Sequence, residues 1–203
     1  MISIVMPSYL GQYKRAAKDR DTKILRAISS VTKQCFREWE LIIVADGCER
    51  TLEIVDPLLS RDERLRLEFI EKAPLWSGRP RNTGISLAQG KYICYLDIDD
   101  IFAPDHLSSM LPEMDGQDWY WFDDYKFNIK DRNFRHVKRN VNKLGNCGTS
   151  NIMHRPHLAK WNDRDNYAHD WRFIQKLKKA SRKYKYIKGG RYLVCHIPGE
   201  YDV

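Results

Sequence analysis

Long hydrophobic runs are missing from this 203-residue sequence. The densest apolar stretch, Leu41 to Ala45, falls far short of the roughly 20 residues a membrane-spanning helix needs, which argues against a spanning segment. Ile2 to Met6 runs straight into Pro7 with no basic leader and no small-residue cleavage site. No secretory signal is read, and a cytoplasmic protein is expected. Cysteine is scattered: Cys35, Cys48, Cys94, Cys147 and Cys195 never fall in C-x-x-C spacing, which predicts neither a disulfide framework nor a zinc site. Cys94 and Cys195 lie in apolar runs, where a buried structural thiol is expected. With 11 glycines, 8 prolines and 42% hydrophobic residues the chain is neither fibrous nor disordered, and its length suits one domain with a proper core.

The familiar phosphate and hydrolase motifs are missing as well. Pro7-Ser8-Tyr9-Leu10-Gly11 follows the first apolar run where a dinucleotide fold would place G-x-G-x-x-G. No G-x-x-x-x-G-K-[ST], G-x-S-x-G or H-E-x-x-H occurs either. A phosphate ligand, if there is one, must be neutralised by other means.

Acidic residues thin out along the chain. Residues 1–125 carry 16 Lys and Arg against 21 Asp and Glu, a net of −5, whereas residues 126–203 carry 19 against 6, a net of +13. The excess is densest over 171–191, where nine basic residues meet no acid. Such a face can be simply solvated, or it can meet an anionic lipid surface, an acidic acceptor or nucleic acid.

The first half alternates strand-like and helix-like segments. Strands are predicted at Ile2–Met6, Leu41–Val44, Leu65–Ile70 and Tyr92–Leu96, and helices at Lys23–Phe36, Thr51–Leu59 and Arg81–Gln89. Strands that are apolar throughout, separated by helices, predict a parallel sheet covered on both faces, with right-handed crossovers. After Asp100 the pattern loosens. A helix is predicted at Asp105–Met114, strands at Trp119–Phe122, Tyr125–Ile129 and Ser150–His154, a helical turn at Pro156–Trp161 and a helix at Asp170–Ala180. Tyr184–Ile187 and Tyr192–His196 are expected to close the chain as an antiparallel pair around Gly189-Gly190. The reading is one α/β domain, with residues 1–105 as a nucleotide-binding half and 106–203 as a more variable half.

The clearest chemical signal is Asp97-Ile98-Asp99-Asp100, directly after a strand. Carboxylates at i and i+2 on extended chain share a side, and the following turn can bring Asp100 to them. Three acids so close raise one another's pKa unless a cation lies between them. Oxygen donors select hard ions such as Mg²⁺ or Mn²⁺, and the carboxyl edge of a parallel sheet is where ligands bind.

Here the chain resembles the family 2 glycosyltransferases, which have the GT-A fold. The resemblance rests on five segments in order: Ile2 to Tyr9, Ala27 through Val44, Ala45-Asp46-Gly47-Cys48, Arg81-Asn82-Thr83-Gly84 with Gly90-Lys91-Tyr92, and Leu96 to Asp100. It covers residues 1–105 closely and the rest loosely. The resemblance implies that Pro7 and Tyr9 line the nucleotide, with Tyr9 stacking on the base, and that Asp46 accepts from the ring N–H of uracil or thymine. It implies that Asp97 or Asp99 holds the ribose, that Arg79 and Arg81 face the phosphates, and that Asp99 or Asp100 holds Mn²⁺ or Mg²⁺, with His196 contacting the metal or the diphosphate. Asp170, in Ala168-His169-Asp170-Trp171, matches the segment that carries the general base, although an N-cap would also select Asp there. Three departures stand out: Ala45 replaces the first turn acid, Cys48 the serine, and His169 the acid before the base.

The reading is therefore an inverting, metal-assisted transfer from a nucleotide-sugar, UDP favoured over dTDP, to a saccharide or lipid-linked glycan. Peripheral association with an anionic membrane face is compatible with the basic half, and nucleic acid is not expected as a partner. A sugar nucleotidyltransferase would want a Gly-rich basic loop after the first strand, which Pro7-Ser8-Tyr9 does not supply. A catalytically silent relative, or a binder of nucleic acid or an anionic surface, is the alternative. Trp76, Trp119 and Trp121 could form a sugar platform, but core packing explains Trp119 and Trp121 better.

Overall fold

The computed structural model describes residues 1–13, 16–73, 77–162 and 168–195. Its front half alternates as read: β1 (Ile2–Ser8), α1 (Arg20–Thr32), β2 (Trp39–Asp46), α2 (Glu49–Leu59), β3 (Leu65–Ile70), α3 (Gly78–Leu87) and β4 (Tyr92–Tyr95). The four strands pair in parallel in the order β3-β2-β1-β4, with Ile4 beside both Leu41 and Cys94. Every residue of β2 is buried, as expected for a strand covered on both faces. Side chains alternate between two cores. Ile4, Met6, Leu41 and Ile43 pack with Ile24, Ile28 and Val31 of α1. Val5, Ile93 and Tyr95 face the opposite layer with Ile85 of α3. That second layer is tight: a Cβ on Gly84 would collide with the Val5 side chain, so α3 needs a glycine where it crosses β1.

Helix α1 stops at Thr32 rather than Phe36, for a specific reason. Gln34 is fully buried, and its Nε2 donates to the carbonyls of Ser30 and Ala103 while its Oε1 accepts from Leu107 N–H. The side chain satisfies a late helical carbonyl and ties the exit to the 103–107 segment, which ends the helix there.

The back half contributes β5 (Ile101–Phe102), α4 (His106–Met110), β6 (Trp119–Trp121), β7 (Asp124–Asn128), β8 (Asn133–Val137), β9 (Ile152–His154), α5 (His169–Ala180), β10 (Tyr184–Tyr186) and β11 (Tyr192–Val194). Strands β9, β6 and β10 extend the large sheet beyond β4, with β9 antiparallel to both β4 and β6. A second, four-stranded sheet has the order β5-β11-β7-β8. Phe173, Ile174 and Leu177 of α5 complete the core beneath Tyr95 and Trp119. No helix among the described residues is long and apolar enough to cross a membrane.

Three expectations are corrected. The last two strands do not pair with each other: β10 joins the large sheet beside β6, and β11 sits between β5 and β7. Glu113 accepts from Lys188 N–H at 3.0 Å and Gly189 N–H at 2.7 Å, and Ser109 Oγ accepts from Gly190 N–H at 3.0 Å. These bonds hold the glycine pair as a passage from one sheet to the other, with Gly190 at φ +104°, and no hairpin closes. The Pro156–Trp161 segment is a hydrogen-bonded turn rather than a helical one. Strand β8 lies in the basic stretch that showed no pattern, because a mostly exposed edge strand need not alternate apolar and polar residues.

Two histidines are sealed into the fold. His154 Nδ1 donates to Arg155 O at 2.8 Å, so its Nε2 accepts from Tyr95 OH at 2.7 Å, and the Tyr95 oxygen in turn accepts from Trp161 Nε1 at 3.0 Å. His106 Nδ1 accepts from Arg191 N–H at 2.7 Å. Burial lowers these histidines to about 4 and about 3 respectively. An unfolded histidine titrates near 6.5, so below that pH the unfolded chain binds protons that the fold refuses, and this contribution to stability is lost as pH falls. Urea unfolding of wild type and His106→Gln, which retains an acceptor for Arg191, should show the wild-type advantage shrinking by up to about 1.4 kcal/mol per pH unit below about pH 6.5. A pH-independent difference would contradict the buried neutral assignment.

Candidate functional site

The parallel strands deliver three groups of side chains to their carboxyl edge. The first surrounds Tyr9 and Asp46. Pro7 and Ser8 end β1 in register with Val44 and Ala45, which places Asp46 one step further along the neighbouring strand. Asp46 is buried, its Oδ1 accepting from Ala73 N–H and its Oδ2 from Lys72 Nζ, both at 2.6 Å. Gly47, at φ +61°, makes this possible, because a Cβ there would meet the Lys72 backbone. The Lys72 ammonium also lies 4.3 Å from the Tyr9 ring centroid. Tyr9 therefore presents a π-face beside a buried carboxylate, with a lysine bridging them. A planar base stacking on that face would have to displace the ammonium.

The second group is the acidic segment. It is not extended: Asp100 N–H donates to Asp97 O at 3.1 Å, so residues 97–100 form a turn, and the turn rather than strand alternation gathers the carboxylates. Asp97 is about 40% exposed at its side chain, whereas Asp99 and Asp100 are buried. Asp100 reaches the end of the chain's last described strand. Its Oδ2 accepts from Tyr192 OH at 2.9 Å and its Oδ1 from Cys195 N–H at 2.7 Å, and Tyr192 OH also accepts from Asp97 N–H at 3.1 Å. Burial, then Asp99 and Asp97, push the Asp100 carboxyl well above the usual range against those two hydrogen bonds. Burial also raises Asp97, opposed by Arg81 and reinforced by Asp99 and Asp170.

The third group joins the two halves. Arg81 of α3 is 4% exposed, with Nη2 3.3 Å from Asp97 Oδ1 and its guanidinium 4.7 Å from the Trp161 ring centroid. Its Nε has no hydrogen-bond partner among the described residues. His169 Nε2 lies 3.0 Å from Asp170 Oδ1 and 3.4 Å from Arg81 Nη1, so the ring donates to the carboxylate and packs against the guanidinium. Asp170 also accepts from Thr149 Oγ1 at 2.6 Å. Burial opposes its ionisation, but the His169 hydrogen bond, the Arg81 charge and the Thr149 hydroxyl together hold its carboxyl below the usual range. Asn82 secures the junction, its Oδ1 accepting from Trp161 N–H and its Nδ2 donating to Trp161 O.

Arg81, Asp97, Asp99, Asp100 and Asp170 are thus electrostatic neighbours, and Tyr9 and Asp46 form an adjoining pair. Arg79 points elsewhere, 4.0 Å from the exposed Glu71. His196 and Trp76 lie outside the described residues, while Trp119 is wholly buried. Six residues escaped the sequence reading: Lys72, Asn82, Thr149, Trp161, His169 as a partner of Asp170, and Tyr192. Only the R-N-x-G segment offered a signal, for Asn82.

The donor chemistry of the acidic turn suits a hard divalent cation. It offers oxygen ligands only, and their mutual repulsion is what such an ion relieves. Among the described residues, however, no three His, Cys, Asp or Glu side chains converge as a ready ligand set.

The glycosyl transferase family 2 model matches residues 3–182. The chain belongs to that family. The resemblance read from the five segments is therefore correct, and so is the GT-A fold: residues 1–349 of S. aureus TarS, in complex with UDP, superpose with a TM-score of 0.76 at 19% identity, covering 95% of this chain and 60% of that one. A mannosyltransferase from Pyrobaculum calidifontis, in complex with GDP-Man and Mn²⁺, matches with a TM-score of 0.66 at 13% identity over 98% of this chain and 57% of its own. Among curated relatives, WfgD of Escherichia coli, a UDP-Glc:alpha-D-GlcNAc-diphosphoundecaprenol beta-1,3-glucosyltransferase, is 32% identical over 114 residues, 56% of this chain. This family 2 chain spans about two-fifths of the length of WfgD, which it matches over 41%.

Removing the guanidinium should expose the charge conflict at this junction. Arg81→Met leaves Asp97 and Asp170 facing each other, and a loss of about 2 kcal/mol is expected, below the usual cost of breaking a buried pair because Asp97 is partly solvated. Arg81→Lys should recover less than half, lacking the planar fork and the stack on Trp161. Adding Asp97→Asn to Arg81→Met should restore part of the stability. Urea denaturation distinguishes these outcomes, and an Arg81→Met variant as stable as wild type would refute the electrostatic junction.

Proposed function

We propose that this chain transfers a sugar from a nucleoside-diphosphate donor, UDP favoured, to a saccharide or lipid-linked glycan acceptor with inversion. The observation that carries the reading is the meeting of Arg81, Asp97 and Asp170 at the carboxyl edge of the sheet, beside the Tyr9–Asp46 pair. Asp46 and Tyr9 recognise the base, Asp97 or Asp99 the ribose, and Arg81 the phosphates. Support for UDP comes from the TarS complex and from the donor in the name of WfgD.

Asp170 is the general base. Its carboxylate takes the proton from the acceptor hydroxyl as that oxygen forms a bond to the anomeric carbon, while the bond from that carbon to the diphosphate oxygen breaks on the opposite face and the diphosphate leaves with the electron pair. His169 and Thr149 orient the carboxylate and keep it ionised, which favours availability over basic strength. A divalent Mn²⁺ or Mg²⁺, held by Asp99 and Asp100 with His196, would neutralise the charge that develops on the leaving diphosphate, and the mannosyltransferase complex supports that metal class.

Calorimetric titration of UDP with Mn²⁺ and then EDTA, followed by turnover of UDP-sugars, tests the reading. UDP should bind in the metal-dependent manner, Asp46→Ala should weaken it at least tenfold, and Asp170→Asn should leave UDP affinity within about twofold while lowering turnover about 10²- to 10⁴-fold. Full activity in Asp170→Asn would remove the base assignment. Absence of nucleotide binding would remove the transferase reading.

A further inference from the structure

A second cleft, of about 740 Å³, opens between the edge of the large sheet and the small one. Trp121 of β6 and Tyr186 of β10, with ring centroids 5.7 Å apart, line it from one sheet and Tyr125 of β7 from the other. Lys138 and Lys188 also line it, and neither forms an ion pair among the described residues. The base of the cleft is built around Asp123, which is 5% exposed. Its Oδ2 accepts from Tyr186 OH at 2.8 Å and lies 2.9 Å from His136 Nε2, and its Oδ1 accepts from Arg139 N–H at 2.8 Å. One carboxylate therefore fixes β10, β8 and the segment after β8 against one another. Its charge is spent internally, and the Arg139 guanidinium is likewise committed, to Asp124 at 2.7 and 3.0 Å. What remains for a ligand is aromatic faces and two ammonium groups that form no ion pair among the described residues.

That pairing has a chemical preference. Sugar rings pack their C–H faces on aromatic side chains, while ammonium groups favour negative substituents over neutral hydroxyls. The cleft also connects to the transfer site. Asp124, next to Asp123, accepts from Asn151 Nδ2 at 3.0 Å, and Thr149 of the same three-residue turn donates to Asp170. The turn that seats the proton acceptor thus also holds the floor of the cleft.

We propose that this cleft seats the acceptor chain, away from the hydroxyl that reacts, and selects a saccharide bearing phosphate or carboxylate groups. The proposal rests on the transferase reading and specifies its acceptor class. It places the net +13 of the back half in a functional setting, with Lys138 and Lys188 as the cations that make the selection.

Intrinsic tryptophan fluorescence of the whole chain, at constant ionic strength of about 0.15 M, tests it with four probes: a phosphomannan oligosaccharide, an oligogalacturonate, maltohexaose and a DNA duplex. At least one anionic saccharide should bind tenfold or more tighter than both maltohexaose and the duplex, and the better of the two identifies phosphate or carboxylate as the substituent. Lys138→Glu/Lys188→Glu should weaken that binding at least tenfold, Lys138→Gln/Lys188→Gln by an intermediate factor, and both should leave UDP affinity unchanged, which also reports that they fold. Equal binding of the neutral glucan or the duplex, no saccharide binding, or charge reversal without effect would each overturn the proposal. Anionic saccharide binding that follows the two lysines in a protein that fails to bind UDP would support the cleft and refute the donor assignment instead.

Discussion

The buried guanidinium of Arg81 is the constraint on which the rest of the site depends. It comes from α3, in the front half, yet the groups it contacts belong to three other elements: Asp97 after β4, Trp161 in a late loop and His169 at the start of α5. Asp97 and Asp170 could not be held as close neighbours without a cation between them. Arginine does this with a charge that cannot be removed by deprotonation and a flat face that stacks on Trp161. The same charge pulls both acids down; burial and Asp99 nevertheless leave Asp97 raised, while the His169 and Thr149 hydrogen bonds add to it and hold Asp170 below the usual range. One residue therefore joins the elements of the junction and eases the ionisation of both acids against their burial.

Around that junction, cost and function are spatially coupled. A sheet edge packed with carboxylates is unfavourable in an isolated fold, and the chain offsets it with hydrogen bonds drawn from distant segments. Asp46 is satisfied by Lys72 and Ala73, Asp170 by Thr149 and His169, and Asp100 by Tyr192 and Cys195. Each carboxylate is thus held by residues far from it in sequence, so loss of one anchoring segment would be felt at the acidic edge.

How much of this was legible beforehand depended on distance along the chain. The four parallel strands could be read because each is a short apolar run whose pattern is local. Asp97 and Asp99 could be placed at the sheet edge because a β-strand delivers the residues that follow it there, whereas Asp46 was marked by the family resemblance. Asp170 was marked by its position at a helix start. Lys72 and Tyr192 were not legible: a lysine after β3 and a tyrosine in a three-residue strand acquire meaning only from partners 26 and 92 residues away. The last two strands were misplaced for the same reason. A glycine pair between two apolar triplets looks like a hairpin, and nothing local reports that Glu113 and Ser109 hold those glycines in another direction.

The bond between Asp100 and Tyr192 of β11 gives synthesis a direction. A chain leaving the ribosome has β1 to β4 in hand, and with them the acidic turn, long before Tyr192 and Cys195 exist to quiet it. Until that strand threads between β5 and β7, three carboxylates stand at the edge of an incomplete sheet with one of them unanchored. The acidic edge of the front half therefore reaches its finished form only after β11 has been made, and a product truncated before Tyr192 would lack the strand that makes that edge electrostatically tolerable.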